Sequence, residues 1–343
     1  MRSTAALGAS ALGLAACVGA GFDLEDLPGE TLVIVYRTLA ESEDRVEMLE
    51  KAREGGGKLQ RSGSASYDRY DVDFGDALDA FGLGRTPEER AAILLGRLAR
   101  VDVASEAAEV YDFALGGDRA FDWSPDRGRL LFRSLRHDGV QLYEWTRETG
   151  ELHALTAGPA THHAGSYGPE GRYTYDRHER NAAGAARDSR IFVTDIGGGL
   201  ARALTEGPRD QKPVWSPDGS VILFESVDPA GRTVISSVTP DGGVPKRIAR
   251  GRDPDFHPDG SWVVFSAETR LGWRLRLMRP DGTGKRAFGG GARDEHDPRF
   301  SPDGRFVAYV ADDDGRQQLR VRSTDGTGDR PLLFHGDGLA PVW

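Results

Sequence analysis

Eight histidines, one cysteine and a set of charged residues that recur at a fixed spacing are the groups with chemical reach in this chain of 343 residues. His163 and His296 each stand four residues ahead of an aromatic residue, Tyr167 and Phe300. The same offset from Trp123, Trp215 and Phe256 finds Arg119, Gln211 and Arg252, and from Trp343 it finds Leu339. One residue further back stand Asp118, His162, Asp210, Gly251, Glu295 and Gly338. Imidazole and carboxylate are good metal and ligand donors, so two such rings converging on one axis would make a ligand-binding or metal-binding mouth. A second reading is a wet entrance whose polar lining avoids buried, unpaired groups. We carry the second: Arg119, His163, Gln211, Arg252 and His296 are the candidate mouth residues, and no metal and no cofactor is expected.

Other chemistries find less support. Cys17 is the only cysteine, which excludes an internal disulfide and any paired-cysteine metal or redox site. No Gly-x-Ser-x-Gly elbow is present, and Lys58 and Lys285 follow glycines without the spacing of a phosphate loop. Asp312, Asp313 and Asp314 before Gly315 lack the alternating ligand spacing of a calcium loop and read as a hairpin turn. No catalytic residue is expected, and the chain reads as a non-enzyme. Its 44 Lys and Arg against 54 Asp and Glu give a net charge of -10, which argues against a nucleic-acid partner.

The elements that position these groups come from an internal repeat. Ser-Pro-Asp blocks recur at 124–126, 216–219 and 301–304, with His257-Pro258-Asp259-Gly260 and a degenerate Gly168-Pro169-Glu170-Gly171 between them. The aromatic residue just ahead of each block falls at 123, 167, 215, 256 and 300, and again at 343, spacings of 41 to 48 residues that match one four-stranded propeller blade. In Ser-Pro-Asp-Gly, proline presets φ, Ser and Asp bond the local backbone, and Gly takes the positive φ that closes the turn. An apolar strand follows each turn, as at 221–224 and 306–310, and 45 Gly and 18 Pro suit many such short strands. The fold expected is all-β, a six-bladed propeller over 109–343. Its last blade combines the strand at 341–343 with an earlier strand, Thr31 to Tyr36 or Glu109 to Leu115, because an open edge would leave unpaired amides and carbonyls.

Ahead of the repeats, residues 31–108 read as a small helical or α/β segment. Helical spacing is visible in 39–54, Gly and Ser crowd 55–71, and Thr86-Pro87-Glu88-Glu89 is a capping box opening a helix through Ile93, Leu94, Leu95 and Leu98. The first 16 residues carry one positive charge and a short apolar run, too short to cross a bilayer that needs about 20 residues. Leu14-Ala15-Ala16-Cys17 resembles the lipobox of bacterial lipoproteins. That resemblance implies a cleaved signal at 1–16, a fatty-acylated, palmitate-type Cys17 with a tether to residue 30, and, with Val18 next, an outer-membrane anchor.

The strings PVWSPDGSVILFES (213–226) and PRFSPDGRFVAYVA (298–311) resemble the repeats of the TolB-type six-bladed propeller family. The resemblance covers roughly 115–343 and implies a periplasm-facing, protein-binding scaffold whose partners are envelope proteins such as peptidoglycan-associated lipoproteins. The competing class is a carbohydrate-acting or lyase-type propeller that uses the polar mouth.

Overall fold

A computed structural model describes residues 31–37, 97–102, 107–115, 117–137, 139–180, 186–270, 272–289, 294–313, 316–332 and 337–343. Among the described residues the chain is all-β apart from two single 3-10 turns, and its strands form six four-stranded sheets. Three strands come first: β1 (Thr31–Arg37), β2 (Arg97–Asp102) and β3 (Ala107–Val110). Blade one holds β4 (Arg119–Trp123), β5 (Arg129–His137), β6 (Gly139–Thr146) and β7 (Leu152–Ala154). Blade two holds β8 (Gly165–Tyr167), β9 (Tyr173–Arg180), β10 (Ala186–Thr194) and β11 (Ala201–Ala203). In blade three are β12 (Gln211–Trp215), β13 (Ile222–Val227), β14 (Thr233–Thr239) and β15 (Gly242–Arg250). Blade four comprises β16 (Arg252–Phe256), β17 (Val263–Thr269), β18 (Gly272–Met278) and β19 (Arg286–Ala287). Blade five comprises β20 (Asp294–Phe300), β21 (Phe306–Asp313), β22 (Arg316–Ser323) and β23 (Asp329–Pro331). The last strand, β24 (Asp337–Val342), pairs with β1 to give a composite sheet in the order β24-β1-β2-β3.

Each inner strand ends on the block aromatic and turns into the second strand through local polar chemistry. The hydroxyls of Ser124, Ser216 and Ser301 accept the amides of Arg129, Val221 and Phe306 at 2.9, 3.0 and 3.0 Å. They also donate to Asp126, Asp218 and Asp303 two residues on. Gly219, Gly260 and Gly304 take φ of 73, 74 and 72°. In blade one the same place is filled by Arg127 at φ 56°, a conformation that costs a side-chain-bearing residue about 1–2 kcal/mol. Its guanidinium donates to the carbonyl of Trp343 at 3.0 Å, so the strained residue ties blade one to the composite sheet.

Apolar packing lies between the sheets, and every neighbouring pair has its own cluster. Leu131 and Leu142 meet Tyr167 and Tyr175 between blades one and two, Ile191 and Val193 meet Trp215 and Phe224 between two and three, and Ile235 meets Phe256 and Phe265 between three and four. Leu275 and Val264 meet Phe300 and Tyr309 between four and five. Ile34 and Trp343 of the composite sheet pack on Phe306 and Val321 of blade five, while Leu98 and Val342 pack on Trp123 and Phe132 of blade one. The last two clusters close the ring.

Two local expectations are corrected. Leu98, expected at the end of a helix, lies on β2, where Leu98, Ala99 and Val101 are fully buried. Pairing with β1 on one side and β3 on the other satisfies its backbone and overrides the helix preference of Leu, Ala and Arg. The strand expected through Glu109 to Leu115 stops at Val110, and a turn follows in which the Ala114 amide donates to the Tyr111 carbonyl. That turn stacks Phe113 on Trp145 with ring centroids 5.1 Å apart. Cys17, the apolar leader, the expected helix of 39–54 and the 86–96 part of the helix expected through Leu98 lie outside the described residues.

Candidate functional site

The inner strands of blades three, four and five carry a bulge just ahead of the block proline, where register shifts fall between Gln211 and Val214, Arg252 and Asp255, and His296 and Arg299, and β4 and β24 shift register too, between Ala120 and Asp122 and between Leu339 and Val342. Proline tolerates such a place because its missing amide is not needed by the ladder. The bulged residues are Lys212, Asp253 and Asp297, at φ 50, 52 and 50°. Left-handed backbone at three side-chain-bearing residues persists only where the surroundings enforce it.

Buried acids of the preceding blade hold two of the three amides, those of Lys212 and Asp253. Asp176 on β9 accepts the amides of His163 and Ala164 at 2.7 and 2.9 Å and, across the blade boundary, that of Lys212 at 3.0 Å. Glu225 on β13 accepts the Asp253 amide at 2.7 Å. Burial alone would raise the Asp176 carboxyl, but the His178 hydrogen bond, the charges of His178 and His163 and the Lys212 amide hold it down at about 2. Ion pairs then lock the side chains. The Lys212 ammonium stands 2.6 Å from Asp253 and 3.3 Å from Glu225, and Arg119 bonds Asp297 at 3.0 Å. Burial works against charge on Lys212, yet Asp253 and Glu225 outweigh it and push the ammonium above its usual range. Asp297 is likewise held well below the carboxylate range, against burial, by Arg119, His296 and Lys212.

These pairs line an axial cavity of about 510 Å³ that extends to the Ser-Pro turns Ser124-Pro125, Ser216-Pro217 and Ser301-Pro302. A second ring of inward residues precedes each aromatic: Asp122, Ser166, Val214, Asp255, Arg299 and Val342. It staples blade to blade. Asp122 accepts the Tyr167 amide at 2.9 Å, Ser166 the Trp215 amide at 3.1 Å and Asp255 the Phe300 amide at 2.7 Å. Where Arg299 cannot accept, its backbone carbonyl takes the Trp343 indole at 3.1 Å instead. Burial pushes the Asp122 carboxyl up to about 6, helped by the charge of Asp255, although the Tyr167 amide, the Ser166 hydroxyl and Arg299 oppose it.

Of the five candidate mouth residues, Arg119 lines this cavity and the other four do not. Gln211 bonds Glu225 at 3.3 Å, Arg252 sits 3.3 Å from Asp253 with its guanidinium 4.0 Å over the Trp273 ring, and His296 stands 3.3 Å from Asp297. These three stand behind the residues that face the axis. His163 bonds Arg133 at 3.3 Å and Thr161 at 3.0 Å, and its ring lies 4.3 Å from that of His178, tilted by 46°. The expected outer ring turns into the sheets: Asp118 pairs with Arg136 at 2.8 Å, and Glu295 with Arg322 at 2.7 Å. In blades three, four and five the bulge turns Lys212, Asp253 and Asp297 to the axis in place of the residue before each. Sequence reasoning missed Lys212, Asp253 and Asp297, although a charged residue before Pro213, Pro254 and Pro298 was a legible signal. Among the described residues no group of three or more His, Cys, Asp or Glu side chains is placed to hold a metal ion.

Residues 101–253 and 182–343 match the model of the TolB beta propeller domain family. The chain is 33% identical over 73 residues to the Tol-Pal system protein TolB of Thiobacillus denitrificans, covering 20% of this chain and 17% of that protein. Among solved structures, TolB from Acinetobacter baumannii has a TM-score of 0.61 at 20% identity over 72% of this chain and 62% of that one. A putative TolB from Agrobacterium tumefaciens has a TM-score of 0.57 at 24% identity over 68% and 87%. The first of these matches spans less than a fifth of its curated relative's length, and at these identities the solved structures speak to the fold alone.

Proposed function

Because the chain belongs to the TolB beta propeller domain family, we propose that it is an envelope-anchored, non-enzymatic lipoprotein whose propeller receives another envelope protein at the axial cavity. The observation that carries this is the floor of that cavity: three charged residues in left-handed backbone, all ion-paired and two of them braced by Asp176 and Glu225, beneath a recess of about 510 Å³. Rigid pre-organisation of this kind lowers the entropy lost when a partner docks. The Tol-Pal relative supplies the class of partner, with peptidoglycan-associated lipoproteins first, and the lipobox supplies the tether through Cys17.

The test uses the host's purified peptidoglycan-associated lipoprotein and the full-length chain. Val214→Trp, which fills the cavity, should abolish binding, while Leu200→Trp at an exposed outer turn should leave it intact. Equal binding by both variants, with unchanged circular dichroism, would remove the cavity from the interface. Separately, Cys17→Ser should move the protein from the membrane to the soluble envelope fraction; a wild-type protein already soluble would end the lipid-anchor reading.

A further inference from the structure

The charged residues that line the cavity balance in number, four acids against Arg119, Arg127, Lys212 and Arg299, but they are not evenly paired. Asp297 is bonded to Arg119, and Asp253 lies against both Lys212 and Arg252. Asp255 has a looser neighbour, Arg299, 3.7 Å away and beyond hydrogen-bond distance. Asp122 has no cation in contact: its Oδ2 accepts the Ser166 hydroxyl and the Tyr167 amide, both at 2.9 Å, and among the described residues its Oδ1 accepts nothing. Blades one and four face each other across a ring of six sheets, so Asp122 and Asp255 stand on opposite walls of one recess. Val214 and Val342 complete the same ring of positions with apolar surface. Two acids that share one cation, Arg299, with aliphatic walls between them are complementary to a second cation carried on a methylene stem.

We propose that this recess selects a partner segment by accepting one lysine or arginine side chain between Asp122 and Asp255, its stem against Val214 and Val342. This deepens the docking reading above and rests on it. Specificity would come from the unpaired acid, because a neutral side chain of the same length leaves Asp122 without the compensation its burial calls for. The other charged groups at this level are Asp255 and Arg299 across the cavity, Arg127 on the turn of the same blade, and Arg129 and Glu144 behind Tyr167.

The experiment titrates the full-length protein with acetyl-Gly-Arg-Gly-amide, its lysine counterpart and the citrulline peptide, a neutral isostere of arginine. Butylamine serves as a further arm that separates a free amine from a side chain on a polypeptide. The arginine and lysine peptides should bind about tenfold or more tightly than citrulline, a difference of about 1.4 kcal/mol. Asp122→Asn, which keeps an oxygen for the Tyr167 amide, should erase that preference without lowering the melting temperature, and the wild-type preference should shrink as pH falls below about 6. Equal binding of arginine and citrulline peptides, no binding of either at millimolar concentration, or an undiminished preference in Asp122→Asn would overturn the proposal. Butylamine binding as tightly as the peptides would overturn the partner segment as the source of the cation. Retained lipoprotein binding beside a failed peptide preference would sink this inference and leave the docking reading standing.

Discussion

Three residues ahead of the block aromatic, blades three, four and five carry Lys212, Asp253 and Asp297 in left-handed backbone, whereas blades one and two carry Ala120 and Ala164, neither of which does. The repeat is the same and the turn chemistry nearly so. In two of the three an acid of the preceding blade accepts the bulge amide, Asp176 for Lys212 and Glu225 for Asp253, and the third, Asp297, is held through its side chain by Arg119. One side of the channel is thus a braced ionic floor, and the other is small and relaxed. A repeat fold can therefore keep its scaffold symmetric while concentrating strain and charge on one half of its axis, as expected where strained backbone gathers at functional sites.

The largest effect should come from removing a brace. Glu225 is buried, accepts the Asp253 amide and faces the Lys212 ammonium, so Glu225→Ala leaves a buried amide and part of a buried charge without a partner. We expect a loss of about 3–5 kcal/mol in urea unfolding, the range for breaking a buried pair from one side. Removing Glu179, whose exposed carboxylate meets Arg177 at 2.9 Å in blade two, should cost far less. Similar losses at the two sites would mean the halves are not energetically different.

Much of this was legible before any coordinates. The Ser-Pro-Asp-Gly turns and block aromatics wrote out blades one to five, since turn chemistry and apolar runs act over a few residues. The composite sheet was half legible: β24 and β1 could be named as strands, but β2 could not, because Arg97–Asp102 is made of good helix formers and becomes a strand only through long-range pairing. In the site, counting back from the aromatic found Arg119 and missed Lys212, Asp253 and Asp297 by one position, because a bulge changes which side chain faces inward and periodicity cannot see it.

Acid titration should separate the two halves by sign. Asp176 has a folded pKa of about 2, below its ordinary 3.8, so its stabilisation is full above the ordinary value and is lost as pH falls toward 2; the linkage is worth roughly 2 kcal/mol. Asp122, at about 6, behaves oppositely: its protonated form favours the folded state, so its contribution is full below pH 4 and fades as pH rises through about 6. Asp176→Asn should therefore flatten the acid limb between about pH 4 and 2, while Asp122→Asn should flatten the limb between about 4 and 6. Unfolding free energies measured across pH 2 to 7 check both, and interchange of the two effects would undo the distinction.

The smallest effect should appear at the turn of blade one. Arg127→Gly replaces a residue at φ 56° by one that takes that conformation freely, which gains about 1 kcal/mol. The same change removes the bond to the Trp343 carbonyl at 3.0 Å and the stacking of the guanidinium 5.5 Å from the Trp123 ring, together also about 1 kcal/mol. The two should nearly offset in the melting temperature, yet they differ in where they act. Amide exchange should quicken on β24 and β1, whose sheet loses its tie to blade one, and stay unchanged on β13 and β17, where Gly219 and Gly260 already fill the turn. A uniform change across all sheets would show that Arg127 is a generic turn residue; a change confined to the composite sheet would show that strain in one turn is retained because it closes the ring.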